Sequence, residues 1–255
     1  MKVHFQNWRN HINSASVPSF RAKMDLNREF WGREDLLDQK IKEKLSQIAK
    51  DFMERSEVSN VPIKDMTFTG SLANYNYSKY SDIDLHIIID FDDVDENSDL
   101  VKEFFDFKRA LWNQNHKILM NGYEVEIYVQ DVKEPHVSTG VYSVLDDKWL
   151  TKPDREETDI DYDNIKKKSK SLIDEIDDIE RIEEIDVGVF EKKLNKINRL
   201  KEKIRKFRKI GLETDGEYSI ENLAFKVLRR NGYLKKLSDL KKNTYDEMMS
   251  LEEQL

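Results

Sequence analysis

The sequence predicts an α+β fold, with a sheet-containing half over residues 1–150 and a helical half over residues 151–255. Three observations predict it. Asp82 to Phe91 and Tyr123 to Val129 alternate apolar and polar residues with the period of two that a half-buried strand requires. Arg33 to Arg55 and Ser98 to Met120 repeat apolar residues at helical spacing. From about Asp161 onward only the helical spacing recurs.

In chain order, Leu36, Leu37, Ile41, Leu45, Ile48, Ala49 and Phe52 form the apolar side of a first helix. A strand follows over Ile63 to Thr69, then Gly70-Ser71 and a polar, tyrosine-rich connection. In the next strand Ile83, Leu85, Ile87 and Ile89 share one face, and Asp82, Asp84, His86 and Asp90 share the other. Leu100, Phe104, Phe107, Leu111 and Ile118 read as the stripe of a second helix, with Asn121-Gly122 as its left-handed stop. After the strand at Tyr123, Val141 to Val144 offers a short edge strand.

Beyond that, Ile165, Leu172, Ile176 and Ile179 suggest one helix, and Phe190, Leu194, Ile197, Leu200, Ile204 and Phe207 a longer one ending at Gly211. Ser219 reads as the N-cap of a helix with Ile220, Leu223, Val227 and Leu228. Asn231-Gly232 then turns the chain into a last helix with Leu234, Leu237 and Leu240. Glycine (8) and proline (4) are too scarce for a long flexible linker.

A chain of 255 residues can bury a sizeable core in one large domain or two modest ones. It contains no cysteine, which excludes disulfides, thiolate zinc sites and cysteine nucleophiles. No apolar run is long enough to cross a bilayer, so no membrane partner is expected. Met1 to Arg9 lacks the basic-then-apolar order of a signal peptide, and a cytoplasmic location is the expectation. The net charge of -8 argues against uniform nonspecific nucleic-acid binding. That average hides an acidic stretch from Asp154 to Asp186 and a basic one from Glu191 to Lys209.

The stretch that carries chemistry runs from Thr69-Gly70-Ser71 to Ser81-Asp82-Ile83-Asp84-Leu85. Residues two apart on a strand point the same way, roughly 7 Å apart. Two such carboxylates can share divalent ions about 3.5–4 Å from one another. Oxygen ligands without Cys or clustered His favour Mg²⁺ or Mn²⁺ over zinc. Gly70 lets the backbone approach a phosphate, and the Ser71 hydroxyl and the amides after it can donate to that phosphate. A helix starting at Ser71 would add its dipole. A third carboxylate is expected from the strand at Tyr123 to Val129, where Glu124, Glu126 and Tyr128 share the polar face. Glu126, mid-strand between Val125 and Ile127, is favoured, with Glu124 as the alternative.

Gly-Ser followed about ten residues later by Asp-Ile-Asp, with an acidic residue on a later strand, resembles the signature of the polymerase β-like nucleotidyltransferase superfamily. Within that superfamily it is similar to nucleotidyltransferase-domain proteins of bacteriophages. The resemblance covers about residues 60 to 130. It implies a small mixed sheet flanked by helices, with a helical domain appended. It further implies that Asp82, Asp84 and Glu126 hold two Mg²⁺ ions and that Ser71 binds the β and γ phosphates of a nucleoside triphosphate. An acceptor hydroxyl then attacks the α phosphate and releases pyrophosphate. The sequence departs from the family pattern in a slightly long Gly-Ser to Asp spacing and in having Glu where Asp is usual.

Other residues carry two readings. His86 can orient a metal ligand or touch phosphate, or it can be a structural histidine. Tyr75, Tyr77 and Tyr80 can stack on a base, with Lys79 gripping a phosphate, or they can simply order their loop. Lys192, Lys193, Lys196, Arg199, Lys203, Arg205, Lys206, Arg208 and Lys209 can meet RNA, extended by Arg229-Arg230 and Lys235-Lys236. The same cations can instead pair internally with Asp174, Asp178 and their neighbours. The acceptor expected is an RNA end or another nucleotide, with a protein side chain or small molecule second. A binding module without turnover is the rival reading of the whole fold.

Overall fold

A computed structural model describes residues 20–58, 60–155, 159–183 and 186–250. The segment Met1 to Arg9, expected from its sequence not to be a signal peptide, lies outside them. The chain divides into two compact units, one holding the described residues 21–155 and the other Phe20 with residues 159–250.

The first unit is a mixed sheet with strand order β3-β4-β2-β1-β5-β6 and two helices. Its strands are β1 (Asp65–Thr69), β2 (Ile83–Ile89), β3 (Leu119–Met120), β4 (Tyr123–Asp131), β5 (Val141–Ser143) and β6 (Lys148–Thr151). The helices are α1 (Gln39–Arg55) and α2 (Ser98–Asn115). β1 and β2 are antiparallel, whereas β2 and β4 are parallel. A parallel pair needs a crossover, and α2 supplies it. Ile83, Leu85, Ile87 and Ile89 face the core as the alternation predicts, together with Met66, Phe68, Val125 and Ile127. Leu45, Ile48, Ala49 and Phe52 of α1 share the same core with Phe30 and Trp31.

Several expectations are corrected. α1 starts at Gln39 rather than Arg33, because Asp38 caps it by accepting from the amides of Lys40 and Ile41. Leu36 is accordingly exposed, while Leu37 is buried by a bridge to Trp31. α2 packs on β4 and buries Val101 and Phe105, one position out of phase with the expected stripe. Leu100, Phe107 and Leu111 are 55%, 69% and 44% exposed as a result. Asn121-Gly122 does not end this helix, which stops at Asn115. With φ of 50° and 83°, the pair forms the tight turn between β3 and β4. β5 is not an edge strand, because β6 pairs on its far side.

The second unit comprises α3 (Tyr162–Glu180), α4 (Val187–Thr214), α5 (Ile220–Arg230) and α6 (Tyr233–Met249). Leu172, Ile176, Ile179, Ile197, Leu200, Ile204, Leu228 and Leu237 fill its core. Ser219 caps α5 as expected, its Oγ accepting from Asn222 N at 3.3 Å. Gly211, expected to end α4, lies inside it and is buried. A Cβ there would come 2.5 Å from Glu221 Cβ, so this glycine serves the close approach of α4 to the start of α5. Among the described residues no helix is long and apolar enough to cross a membrane.

Candidate active site

β1 ends in Thr69, paired across the sheet with Asp84 of β2, and the chain then turns at Gly70. Gly70 adopts φ 76° and ψ -162°, a region that is essentially restricted to glycine. The side-chain carboxylate of Asp84 lies directly over it: a Cβ on Gly70 would sit 1.7 Å from Asp84 Oδ2 and 2.8 Å from its Cγ. The glycine and the acid therefore occupy one place in the structure.

The turn after Gly70 is a single 3₁₀ turn, Ser71–Ala73, and no α-helix starts at Ser71 to add its dipole. It is held from several sides. The Trp31 indole donates to the Leu72 carbonyl at 2.7 Å, and Asn74 Nδ2 donates to Thr139 Oγ1 at 2.6 Å. The Ser71 hydroxyl donates to Ser81 Oγ at 2.7 Å, and Ser81 Oγ also accepts from the Ser78 amide at 3.0 Å. The two serines thereby close the connection between Gly70-Ser71 and Asp82. Ser71 must rotate its hydroxyl away from Ser81 before it can donate to a phosphate.

Asp82 is half-buried just before β2 begins, and Asp84 is half-buried on the strand. Glu126 on β4 stands in register with Asp84 across the parallel pair. Adjacent strands are about 4.8 Å apart, so the two residues are neighbours on one face of the sheet. Glu124, two residues upstream on the same face, is paired in register with Leu119 of β3. Glu126 Oε2 accepts a hydrogen bond from the Tyr128 hydroxyl at 2.7 Å. Burial pushes the Tyr128 pKa well above the ordinary tyrosine value, and the nearby charges of Glu126 and Asp84 push the same way. The phenol therefore stays a donor. His86, in register with Tyr128, stacks on it at 5.0 Å. Its Nδ1 lies 2.9 Å from Gln130 Oε1, and burial lowers its pKa, which favours the neutral ring.

Among the described residues no group of three or more His, Asp or Glu side chains is arranged so as to hold a metal ion. Facing carboxylates on neighbouring strands repel one another, and the bond to Tyr128 gives Glu126 a neutral partner. The donor chemistry nonetheless fits a hard divalent cation, since Asp82, Asp84 and Glu126 offer only oxygen. The Asp84 carboxylate itself fills the space that a Cβ on Gly70 would take.

No protein-family model matches the chain, and no curated protein matches it. Among solved structures, it is similar to the STING-associated CdnE c-di-GMP synthase from Capnocytophaga granulosa. The two are 15% identical, over 83% of this chain and 84% of that one, with a TM-score of 0.22.

Tyr75 and Tyr77 pack against the core, whereas Lys79 is exposed with its Nζ 5.0 Å above the Tyr80 ring. The basic helix, α4, divides into two sides. Towards α3, Lys203 pairs with Glu175 at 2.7 Å, and the buried Lys193 donates to the Ile182 carbonyl at 3.0 Å. Lys236 of α6 meets Asp177 and Glu180 at 2.8 and 2.7 Å. The acids of α3 that these cations reach are thus Glu175, Asp177 and Glu180, while Glu202 pairs with Arg205 and Lys206, Glu213 with Lys209 and Asp239 with Lys235. Asp174 and Asp178 instead pair along their own helix, with Lys170 and Arg181, because three- and four-residue spacing sets them over those cations. On the other side, Lys201, Arg205 and Arg208 join Lys241 around a groove of about 510 Å³. Glu202 is the acid on its lining, and Ile204, Phe225, Leu234 and Leu237 supply apolar surface.

Two residues near the acids were not singled out from the sequence. Tyr128 was legible as sharing the face of Glu126, but nothing local says that it bonds to it. Arg109, whose guanidinium carbon lies 4.7 Å from the Tyr128 ring centre, comes from α2, whose phase was misread.

Proposed function

We propose that this chain is a metal-dependent nucleotidyltransferase, moving a nucleoside monophosphate from a nucleoside triphosphate to a hydroxyl acceptor. The observation that carries the reading is the Asp84 carboxylate, lying over Gly70 where no Cβ fits and in register with Glu126. It joins a phosphate-approach loop to an acid pair. Asp82, Asp84 and Glu126 would hold Mg²⁺ or Mn²⁺, which when bound neutralise the triphosphate and ease deprotonation of the acceptor. The acceptor oxygen bonds to the α phosphorus, the bond to the bridging oxygen breaks, and pyrophosphate leaves. Gly70 and Ser71 meet the phosphates, and Lys79 is the cation on the same connection. The hydrogen bonds of the loop hold its backbone in place, so that the Ser71 hydroxyl is the group that has to turn towards the phosphate.

Residues 1–150 take the transfer chemistry in this reading, and residues 151–255 the acceptor. An RNA end is favoured over a protein or small-molecule acceptor by the groove with Lys201, Arg205, Arg208 and Lys241 on its rim. The test is incubation with Mg²⁺ and each triphosphate, alone and with total RNA, followed by pyrophosphate assay and mass analysis. Pyrophosphate is expected with at least one triphosphate, and RNA as the molecule that gains a nucleotide. RNA affinity should fall by roughly 0.7 log units per log salt for each phosphate contacted. The combined Lys201→Glu, Arg205→Glu and Lys241→Glu substitutions should flatten that slope at unchanged melting temperature. No pyrophosphate with any triphosphate would leave a binding module as the better reading. Pyrophosphate without modified RNA would turn the search to nucleotide, protein and small-molecule acceptors.

A further inference from the structure

Glu126 carries a long, flexible side chain, and a carboxylate that samples many rotamers makes a poor ligand. In this chain it is not left to itself. Tyr128, two residues on along the same face of β4, donates its hydroxyl to Oε2 at 2.7 Å. The tyrosine ring is itself held. His86 stacks against it with planes 28° apart, and the Arg109 guanidinium carbon lies 4.7 Å from its centre. His86 is fixed in turn at 2.9 Å from Gln130 Oε1, and Gln130 Nε2 donates to the Glu134 carbonyl at 3.0 Å. A continuous run of contacts therefore leads from the backbone after β4 to one oxygen of Glu126.

We propose that Tyr128 is a positioning residue for the metal site: its hydrogen bond to Oε2 fixes the Glu126 carboxylate that would hold the ion. The inference rests on reading Glu126 as a metal ligand. The tyrosine touches neither metal nor substrate and acts through the glutamate, with His86 and Arg109 keeping its ring in place. Partners of this kind set ligand orientation, and losing one typically weakens metal binding by roughly ten- to a hundred-fold.

Tyr128→Phe is the discriminating variant, because it keeps the ring and its two stacking contacts and deletes only the donor. Mn²⁺ binding, measured by calorimetry or by the spin resonance of the free ion, is read on the full chain without nucleotide. The expected result is Mn²⁺ affinity lowered by about ten-fold or more. The Mg²⁺ concentration for half-maximal pyrophosphate release should rise with it, while kcat recovers towards wild type at saturating Mg²⁺. Glu126→Gln should lose both binding and turnover and show no such recovery. A tyrosine that merely packs would change the melting temperature and leave Mn²⁺ affinity alone. Wild-type Mn²⁺ affinity in Tyr128→Phe, beside lost affinity in Glu126→Gln, overturns the positioning role only. Wild-type affinity in both variants overturns the role and the assignment of the site together.

Discussion

Asp84→Asn is expected to reduce pyrophosphate release by two to three orders of magnitude or more. Asparagine keeps the shape of the side chain over Gly70 but removes the negative charge that would hold the cations. Losing one preorganised electrostatic group at a transferring centre costs on the order of 10²–10³-fold, and here the group would act through the ions themselves. The melting temperature of the purified variant is read beside its turnover, so that lost activity in a folded chain is told from a lost fold. Parental turnover in the purified, folded variant would falsify the assignment.

Gly70→Ala is expected to damage both properties. Alanine at φ 76° and ψ -162° is strained by about 1–3 kcal/mol before any contact is considered. Its Cβ would then overlap Asp84 Oδ2 at 1.7 Å, which forces either the turn or the carboxylate to move. A lower melting temperature and a loss of turnover of about a hundred-fold follow, since displacing a reacting group by about 1 Å costs that much. A double-mutant cycle separates the two causes. In an Asp84→Ala background the overlap with the carboxylate is gone, and the backbone strain remains beside a milder approach of 3.3 Å to the Cβ of residue 84. Gly70→Ala should therefore cost distinctly less stability there than in the parent. Equal costs in both backgrounds would mean that the glycine answers to the turn alone and not to the acid.

Strand faces were the most legible part of the chain, because a period of two needs only neighbouring residues. The alternation through Ile83, Leu85 and Ile87, and again through Val125 and Ile127, put Asp84 and Glu126 on a common polar face, as the ladder pairs them. Helix phase was less legible. α2 carries two apolar stripes about 100° apart, Leu100-Phe104-Phe107-Leu111 and Val101-Phe105-Trp112, and only the sheet beneath it decides which is buried. Arg109 followed the wrong stripe out of view. Asn121-Gly122 suits a helix stop as well as a hairpin, since both need positive φ, and the two-residue β3 is too short to show a period. β6, with the sequence Lys-Trp-Leu-Thr, exists by its pairing with β5 rather than by any pattern of its own. Gly211 was read locally as a terminator, but its reason is the neighbouring helix.

The parallel pairing of β2 with β4 also bears on how the acid pair comes into being. β1 and β2 are joined by a modest loop and can pair as a local hairpin-like unit, at small cost in loop entropy. Glu126 reaches Asp84 only after α2 has crossed over the sheet and the β3–β4 turn has closed, a contact of far greater sequence separation. Non-local pairings of that kind must meet their closure entropy before burial rewards them, so they form slowly. If the pairings form in that order, Asp84 would lie on a paired strand before Glu126 reaches it, and repulsion between the two would be met only once the apolar faces of β2, β4 and α2 can offset it.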